Sequence, residues 1–212
     1  MLDYRPVFFV VGLLLVVLAV FMAIPAFSDF ALQNPSWGVF ALSAIVTLFF
    51  GVLLVLTNYH RFQSVRVRES FLLICLSWTI LPIFGAMPIY YLTAEITLVD
   101  AVFESVSGLT TTGSTIITWL DDAPAGLLLW RSLLQWLGGI GIVVMTVAIL
   151  PLLQVGGMQL FRMEFFEHKD SRLPRAAQIV TTLGVVYLVL TVACAISYSL
   201  AGMSAFDAMN HS

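Results

Sequence analysis

Five separate stretches of this chain are long and apolar enough to cross a lipid bilayer, and they constrain the fold more than any other feature. They cover residues 7–24, 37–57, 71–92, 125–153 and 177–200. A spanning helix needs about 20 apolar residues, and lipid tolerates only backbone that satisfies its own hydrogen bonds. Of the 212 residues, 60% are hydrophobic and 10% are charged, whereas soluble domains carry about 25% charged residues. We therefore predict an all-α integral membrane protein with five transmembrane helices.

The first stretch has a second interpretation. Arg5 precedes it and the small residues Ala26 and Ser28 follow it, as in a secretory signal peptide. Its apolar core is longer than the roughly 7–15 residues of a signal sequence. We therefore favour a permanent transmembrane helix over a cleaved leader.

The scattered polar residues argue against catalysis and cofactor binding. Cys75 and Cys194 lie within apolar runs and are expected to be small core residues rather than a disulfide pair. His60, His168 and His211 lack the spacing of metal ligands. The five apolar stretches contain no Asp or His, which an intramembrane protease would need. The sequence predicts a protein that is not an enzyme and has no cofactor and no nucleic-acid partner.

Basic residues are divided unequally between the connections. Eight of the nine lie before the first stretch or in the second and fourth connections: Arg5, Arg61, Arg66, Arg68, Arg162, Lys169, Arg172 and Arg175. The charged residues of the first and third connections are all acidic. By the positive-inside rule, the N-terminus and the basic connections are cytoplasmic, and Arg131 is the exception. The connection over residues 93–123 must then leave and return on the outer side.

That outer connection is too apolar to be an ordinary solvent-facing loop. Residues 100–109 would form a helix of about 15 Å, half the thickness of the hydrocarbon core. Thr97 is the predicted N-cap and Asp100 an acidic residue in the first turn. Gly108 and the following threonines would end the helix, and Gly113 permits backbone angles that other residues resist. We predict a re-entrant pore helix followed by a filter loop; the alternative is a Ser/Thr loop packed on neighbouring helices.

Two motifs make the chain resemble a known family. Residues 107–115 read Ser-Gly-Leu-Thr-Thr-Thr-Gly-Ser-Thr, and residues 130–141 read Trp-Arg-Ser-Leu-Leu-Gln-Trp-Leu-Gly-Gly-Ile-Gly. Both, in this order between long helices, resemble the Trk/Ktr/HKT potassium transporter superfamily. The two additional leading helices resemble its Trk-type pore subunits, the TrkH family. In that family, four helix–hairpin–helix units of one polypeptide surround a single potassium path, and each contributes a filter segment with a glycine at the position of Gly113.

The resemblance implies a function and partners. It implies potassium uptake across the bacterial inner membrane, by a channel-like or ion-coupled (symport) route that the sequence leaves open. It also implies a homodimer embedded in the lipid bilayer and a cytosolic nucleotide-binding regulatory subunit. Transport of sodium or ammonium is the main alternative, and an inactive membrane fragment or anchor is another.

The predicted site consists mainly of backbone carbonyls. Those of Thr110, Thr111, Thr112, Gly113 and Ser114 are expected to line one side of the ion path, with potassium at Thr111, Thr112 and Gly113. A ring of neutral carbonyl dipoles replaces the hydration shell of potassium and favours it over sodium. The threonine side chains would either add ligand oxygens or pin the loop.

Two further features have two interpretations each. Glu104 and Arg131 are expected to form a pair that braces the hairpin, because charges within membranes are usually paired. Alternatively, Arg131 extends toward the membrane surface and Glu104 is hydrated. The glycines Gly138, Gly139 and Gly141 either bend the fourth span or permit close helix packing.

The sequence also predicts an order of parts. Residues 1–69 hold two leading helices and a cytoplasmic loop, 70–153 the first helix–hairpin–helix unit, 154–175 a cytoplasmic connector, and 176–212 the start of a second unit. The connector is either solvated or a contact for a regulatory subunit. Phe206-Asp207 repeats the Phe103-Glu104 pattern. We therefore interpret the chain as an N-terminal fragment truncated within a second repeat.

Overall fold

Seven helices make up the regular structure in a computed structural model that describes residues 4–59, 67–92, 96–120, 123–149 and 172–212. They are α1 (Arg5–Ala31), α2 (Trp37–Thr57), α3 (Val67–Leu92), α4 (Leu98–Leu109), α5 (Ala125–Ile149), α6 (Arg172–Leu200) and α7 (Ala205–His211). By length and composition, α1, α2, α3, α5 and α6 can each cross a membrane. The predicted all-α fold with five spanning helices is confirmed.

Several helix ends differ from the prediction. The bounds of α2 are as predicted; α1 continues past Pro25 to Ala31, and α3 begins at Val67 and contains Pro82 and Pro88. Proline removes one helical hydrogen bond, but helices packed in membranes tolerate it where neighbours satisfy the freed carbonyl. The helix α6 begins at Arg172, so the last residues of the predicted connector 154–175 are helical. The rest of that connector and the basic residues Arg61 and Arg66 lie outside the described residues.

The helices form two compact units, Met1–Gly139 and Ile140–Ser212. In the first unit, α1 and α2 approach each other at two glycines. A Cβ atom on Gly12 would lie 2.9 Å from the carbonyl oxygen of Gly51, and one on Gly51 would lie 2.9 Å from the backbone nitrogen of Val16. Small residues that let backbones approach are a typical packing device of membrane helices.

The core of the first unit centres on Trp130 of α5. Its side chain is fully buried, and its Nε1–H donates to the carbonyl oxygen of Gly85 on α3 at 2.9 Å. Its ring meets Phe40 of α2 edge to face, with ring centroids 6.5 Å apart. A buried indole N–H needs such a partner. This contact fixes α2, α3 and α5 around one point, and Ile89 and Leu109 belong to the same cluster.

The second unit contains the last part of α5, together with α6 and α7. Ser204 caps α7: its Oγ accepts from the Asp207 backbone nitrogen at 3.2 Å and donates to Asp207 Oδ2 at 2.7 Å. The same arrangement begins α4, where Thr97 pairs with Asp100. Asp207 therefore corresponds to Asp100, and the predicted match of Asp207 with Glu104 is wrong by one helical turn. The short apolar–acidic sequence pattern fits an alignment of Asp207 with either Glu104 or Asp100, and the N-cap hydrogen bonds distinguish the two alignments.

Candidate functional site

The helix α4 begins with a complete capping box. Thr97 Oγ1 accepts from the Asp100 backbone nitrogen at 3.3 Å, and Asp100 Oδ2 accepts from the Thr97 backbone nitrogen at 2.9 Å and from Thr97 Oγ1 at 2.7 Å. These bonds, the side-chain one first, lower the pKa of Asp100 from its usual value. They satisfy N–H groups that have no partner within the helix. The predicted N-cap and first-turn acid are both confirmed.

The other end of α4 closes in a tight turn. The backbone nitrogens of Thr112 and Gly113 both donate to the Ser107 carbonyl oxygen, at 3.0 and 3.3 Å. Thr111 and Gly113 have positive φ angles of 58° and 74°. Glycine adopts this left-handed conformation freely, whereas a β-branched residue such as threonine is strained there by about 1–2 kcal/mol. The helix ends at Leu109, and Gly113 has a backbone angle that other residues resist, as the sequence predicts.

The residues of this turn present a row of backbone carbonyls. Residues 110–114 are all exposed. Within the described ranges, no donor bonds to the carbonyl oxygens of Thr110, Thr111, Thr112 or Gly113. The carbonyl oxygen of Ser114, in contrast, accepts from Ser107 Oγ at 2.6 Å. A backbone carbonyl is a strong acceptor, and an exposed one without a protein donor can bind water or a cation. Four successive unpaired oxygens therefore define an acceptor-rich surface, which we call the carbonyl segment (residues 110–113).

Two threonine hydroxyls hold the carbonyl segment in place. Thr110 Oγ1 donates to the carbonyl oxygen of Val106 at 2.8 Å and lies 2.8 Å from Thr112 Oγ1. These contacts are internal to the hairpin. For Thr110 and Thr112, the geometry therefore favours pinning of the loop over a ligand role for the side chain.

A buried carboxylate joins the residues just after the carbonyl segment to α5. Glu104 is 2% exposed. Its Oε1 accepts from Thr115 Oγ1 at 2.7 Å and from the Ile116 backbone nitrogen at 2.6 Å. Its Oε2 forms an ion pair with Arg131 Nη1. The structure thus brings the two predicted partners together and adds two bonds to the far side of the hairpin, which the sequence did not indicate.

Glycines let neighbouring helices approach α4 closely. A Cβ on Gly85 would lie 2.5 Å from Ser105 Oγ, and one on Gly108 would lie 2.9 Å from Leu134 Cβ. Gly138 lies directly against the last carbonyl group of α4, where a Cβ would overlap it. Of the two interpretations of the α5 glycines, Gly138 fits close packing.

One buried carboxylate was missed as a site residue. Asp29 near the end of α1 is fully buried; its Oδ1 accepts from the Gly126 backbone nitrogen at 2.8 Å and its Oδ2 from Ser36 Oγ at 2.5 Å. In the sequence it stands out only as a lone acid in an apolar connection. No motif indicates that it meets α5.

The described residues include five helices of membrane-spanning length. Between α3 and α5 lie a short capped helix and a row of carbonyls without donors among the described residues. These features define a polytopic membrane protein of the transport class. A comparison with family models makes this specific. Residues 37–212 match the model of TrkH, described as a cation transport protein. The chain belongs to the TrkH family.

Individual relatives agree with this assignment. The chain is 42% identical to the Trk system potassium uptake protein TrkH of Halomonas elongata, with all of this chain and 44% of that protein covered. The figures are the same for the TrkH of Escherichia coli K12. The crystal structure of the potassium transporter TrkH from Vibrio parahaemolyticus superposes with a TM-score of 0.87 at 38% identity, covering 99% of this chain and 42% of that one. The chain spans less than half the length of these relatives.

Proposed function

We propose that this chain contributes one side of a selective potassium path to a potassium uptake protein. The observation that carries the proposal is the carbonyl segment: four successive exposed residues at the C-terminal end of a short capped helix, whose carbonyls have no hydrogen-bond donor in the described part of the chain. The relatives named potassium uptake proteins support the choice of ion. The protein acts as a transporter, without covalent chemistry.

The carbonyl segment would act by replacing water around the ion. Carbonyl oxygens of Thr111, Thr112 and Gly113 take positions in the hydration shell, and Thr110 and Ser114 flank them. The Ser114 carbonyl keeps a second lone pair beside its bond from Ser107. Neutral dipoles compensate the dehydration of potassium more fully than that of sodium. The negative C-terminal end of α4 adds to the attraction for a cation.

Glu104 and Arg131 would keep this geometry fixed. A carbonyl ring selects by position, so movement of the loop relative to α4 weakens the selection. Glu104 binds Thr115 and Ile116 beyond the carbonyl segment while its other oxygen is held by Arg131. The hairpin is therefore tied both to its own helix and to α5.

The complete path would require further segments. By family resemblance, four helix–hairpin–helix units surround it: α3, α4 and α5 form the first, and α6 and α7 begin the second. In this arrangement α4 is re-entrant, the N-terminus is cytoplasmic and the membrane is the bacterial inner membrane. A homodimer and a cytosolic nucleotide-binding regulatory subunit complete the assembly.

Ion competition tests the proposed function. The full-length protein is expressed in cells that lack their own potassium uptake systems, and uptake of radioactive rubidium is measured against added potassium, sodium or ammonium. We expect potassium to compete at much lower concentrations than the other two ions. Equal competition by sodium or ammonium would overturn the potassium assignment.

A further inference from the structure

The Asp29 carboxylate is the start of a contact chain that runs along α5. It is fully buried at the end of α1 and accepts from the backbone nitrogen of Gly126, 97 residues further along the chain. Gly126 is the second residue of α5. A Cβ there would overlap the Asp29 carboxylate. The first turn of α5 therefore lies directly on this side chain.

The contact has a clear physical basis. The first N–H groups of a helix have no partner within it, and the helix dipole makes that end positive. Asp29 Oδ1 satisfies one of these groups in α5, and Ser36 Oγ holds Oδ2 at 2.5 Å at the start of α2. The two bonds fix the carboxylate, and the carboxylate fixes the N-terminal end of α5.

Contacts recur every fourth residue along the same face of α5. After Gly126 comes Trp130, whose Nε1–H donates to the carbonyl oxygen of Gly85 on α3. Four residues later, Leu134 lies against Gly108 of α4. Gly138 comes last and lies against the final carbonyl group of α4. Residues four apart lie on one face of a helix. A shift of α5 along its axis at the Asp29 end therefore moves every later contact, including those on α4.

We propose that Asp29 is a positioning residue that sets the axial position of α5 and, through it, the geometry of the carbonyl segment. The proposal rests on the proposed function, because selectivity is the property that α5 would control. Arg131 lies within the same stretch of α5, so its pair with Glu104 depends on the same position. Loss of the Asp29 contact should therefore reduce the preference for potassium, not only the amount of folded protein.

A role limited to packing the leading helices makes a different prediction. The α1–α2 contact at Gly12 and Gly51 involves no residue of α5. The variant Gly51→Ala disturbs this contact and leaves the Asp29 bonds in place. It is therefore the matched control: it should lower the amount of protein in the membrane while the ion preference per molecule stays at the wild-type value.

The experiment compares variants of the full-length protein by rubidium uptake with sodium or potassium as competitor, normalised to the protein in the membrane. We expect Asp29→Ala to lower the potassium-over-sodium preference on the order of tenfold, because the first turn of α5 loses its hydrogen bond to a charged group. Asp29→Asn should retain most of it, because its amide oxygen can accept from Gly126 and its NH2 can donate to Ser36. A wild-type preference in Asp29→Ala would overturn the proposal.

A second variant serves if Asp29→Ala is poorly recovered. In Gly126→Ala the added methyl group displaces the carboxylate from α5, so the preference should fall. In the double variant Asp29→Ala/Gly126→Ala the methyl has room, and no further loss should follow. An unchanged preference in Gly126→Ala, or additive losses in the double variant, would contradict the proposal. If the wild-type protein itself shows no potassium preference, the proposed function fails instead.

Discussion

At the residue scale, the carbonyl segment depends on backbone conformation more than on side-chain chemistry. Thr111 and Gly113 both have positive φ angles, and the turn they form leaves four carbonyls without a donor among the residues that the structure describes. A Cβ added at Gly113 would have Gln135 Nε2 as its near neighbour, 3.8 Å away. The space around Gly113 is therefore adequate, and the requirement for glycine is conformational.

The variant Gly113→Ser tests this requirement. A residue with a Cβ is strained at a φ of 74° by about 1–2 kcal/mol, so the backbone should relax and move the carbonyl oxygens. We expect a reduced potassium-over-sodium preference in rubidium competition on the full-length protein. The control is Ser114→Ala, which keeps the carbonyl that Ser107 binds and should be tolerated. Unchanged selectivity in Gly113→Ser at normal expression would count against the filter assignment.

A second prediction concerns the coupling of Glu104 and Arg131. Removing one partner of a buried pair leaves the other uncompensated and costs about 3–5 kcal/mol. We therefore expect Glu104→Gln and Arg131→Gln each to lower thermal stability and uptake, and the double variant to lose less than the sum. The matched control is Ser132→Ala, whose hydroxyl bonds one turn back within α5 to Leu128. Strict additivity in the double-mutant cycle would exclude a direct interaction.

At the element scale, α4 is held by helices that come unusually close to it. Glycines in α3 and α5 and one within α4 itself lie at the contacts: Gly85 and Gly108 face side chains, and Gly138 meets the backbone of α4. Such packing gains dispersion energy in lipid, where the hydrophobic effect does not drive helices together. The position of α4 is therefore sensitive to the volume of single residues on its neighbours.

A pair of glycine substitutions in α5 measures that sensitivity. Gly138→Ala places a methyl group on the last carbonyl of α4, and overpacking of this kind costs about 1–3 kcal/mol. Among the described residues, and apart from its own helix backbone and its chain neighbours, nothing lies within 4 Å of a Cβ added at Gly141, so Gly141→Ala should be neutral or stabilise the helix by up to about 1 kcal/mol. The unfolding temperature in detergent and the rate of rubidium uptake should both be lower for Gly138→Ala than for Gly141→Ala. Equal behaviour would show that Gly138 is not a packing contact.

The elements show which parts of the fold a sequence can predict. Apolar length identified all five spanning helices, and the Thr97–Asp100 pattern identified the start of α4 correctly. Helix ends were less predictable, because Pro25 would end a helix in water but lies within α1 here. The predicted match of Asp207 in α7 with Glu104 in α4 was wrong. A single acidic residue in a short helix does not reveal whether it lies beside the N-cap or in the middle of the helix.

At the scale of the whole molecule, contacts between residues close in sequence could be predicted, whereas a contact between distant residues could not. The turn at residues 110–113 is built from bonds between residues close in sequence, so the threonine–glycine motif was enough to find it. The pairing of Glu104 with Arg131 followed from the rarity of charges in membranes. The bond between Asp29 and Gly126 joins residues 97 apart and leaves no local pattern, so it required the folded structure.

The last prediction concerns the 212-residue chain expressed alone. It has the apolar helices needed to enter a membrane, and we expect it to insert. Its described residues hold one carbonyl segment, whereas family resemblance implies four around the path, so we expect no potassium uptake. Four copies would each have to accommodate α1, α2, α6 and α7 around a single ring. We therefore expect an unstable or aggregating product. Restored growth of an uptake-deficient strain at low external potassium by this chain alone would contradict the prediction, while the full-length protein in the same strain provides the positive control.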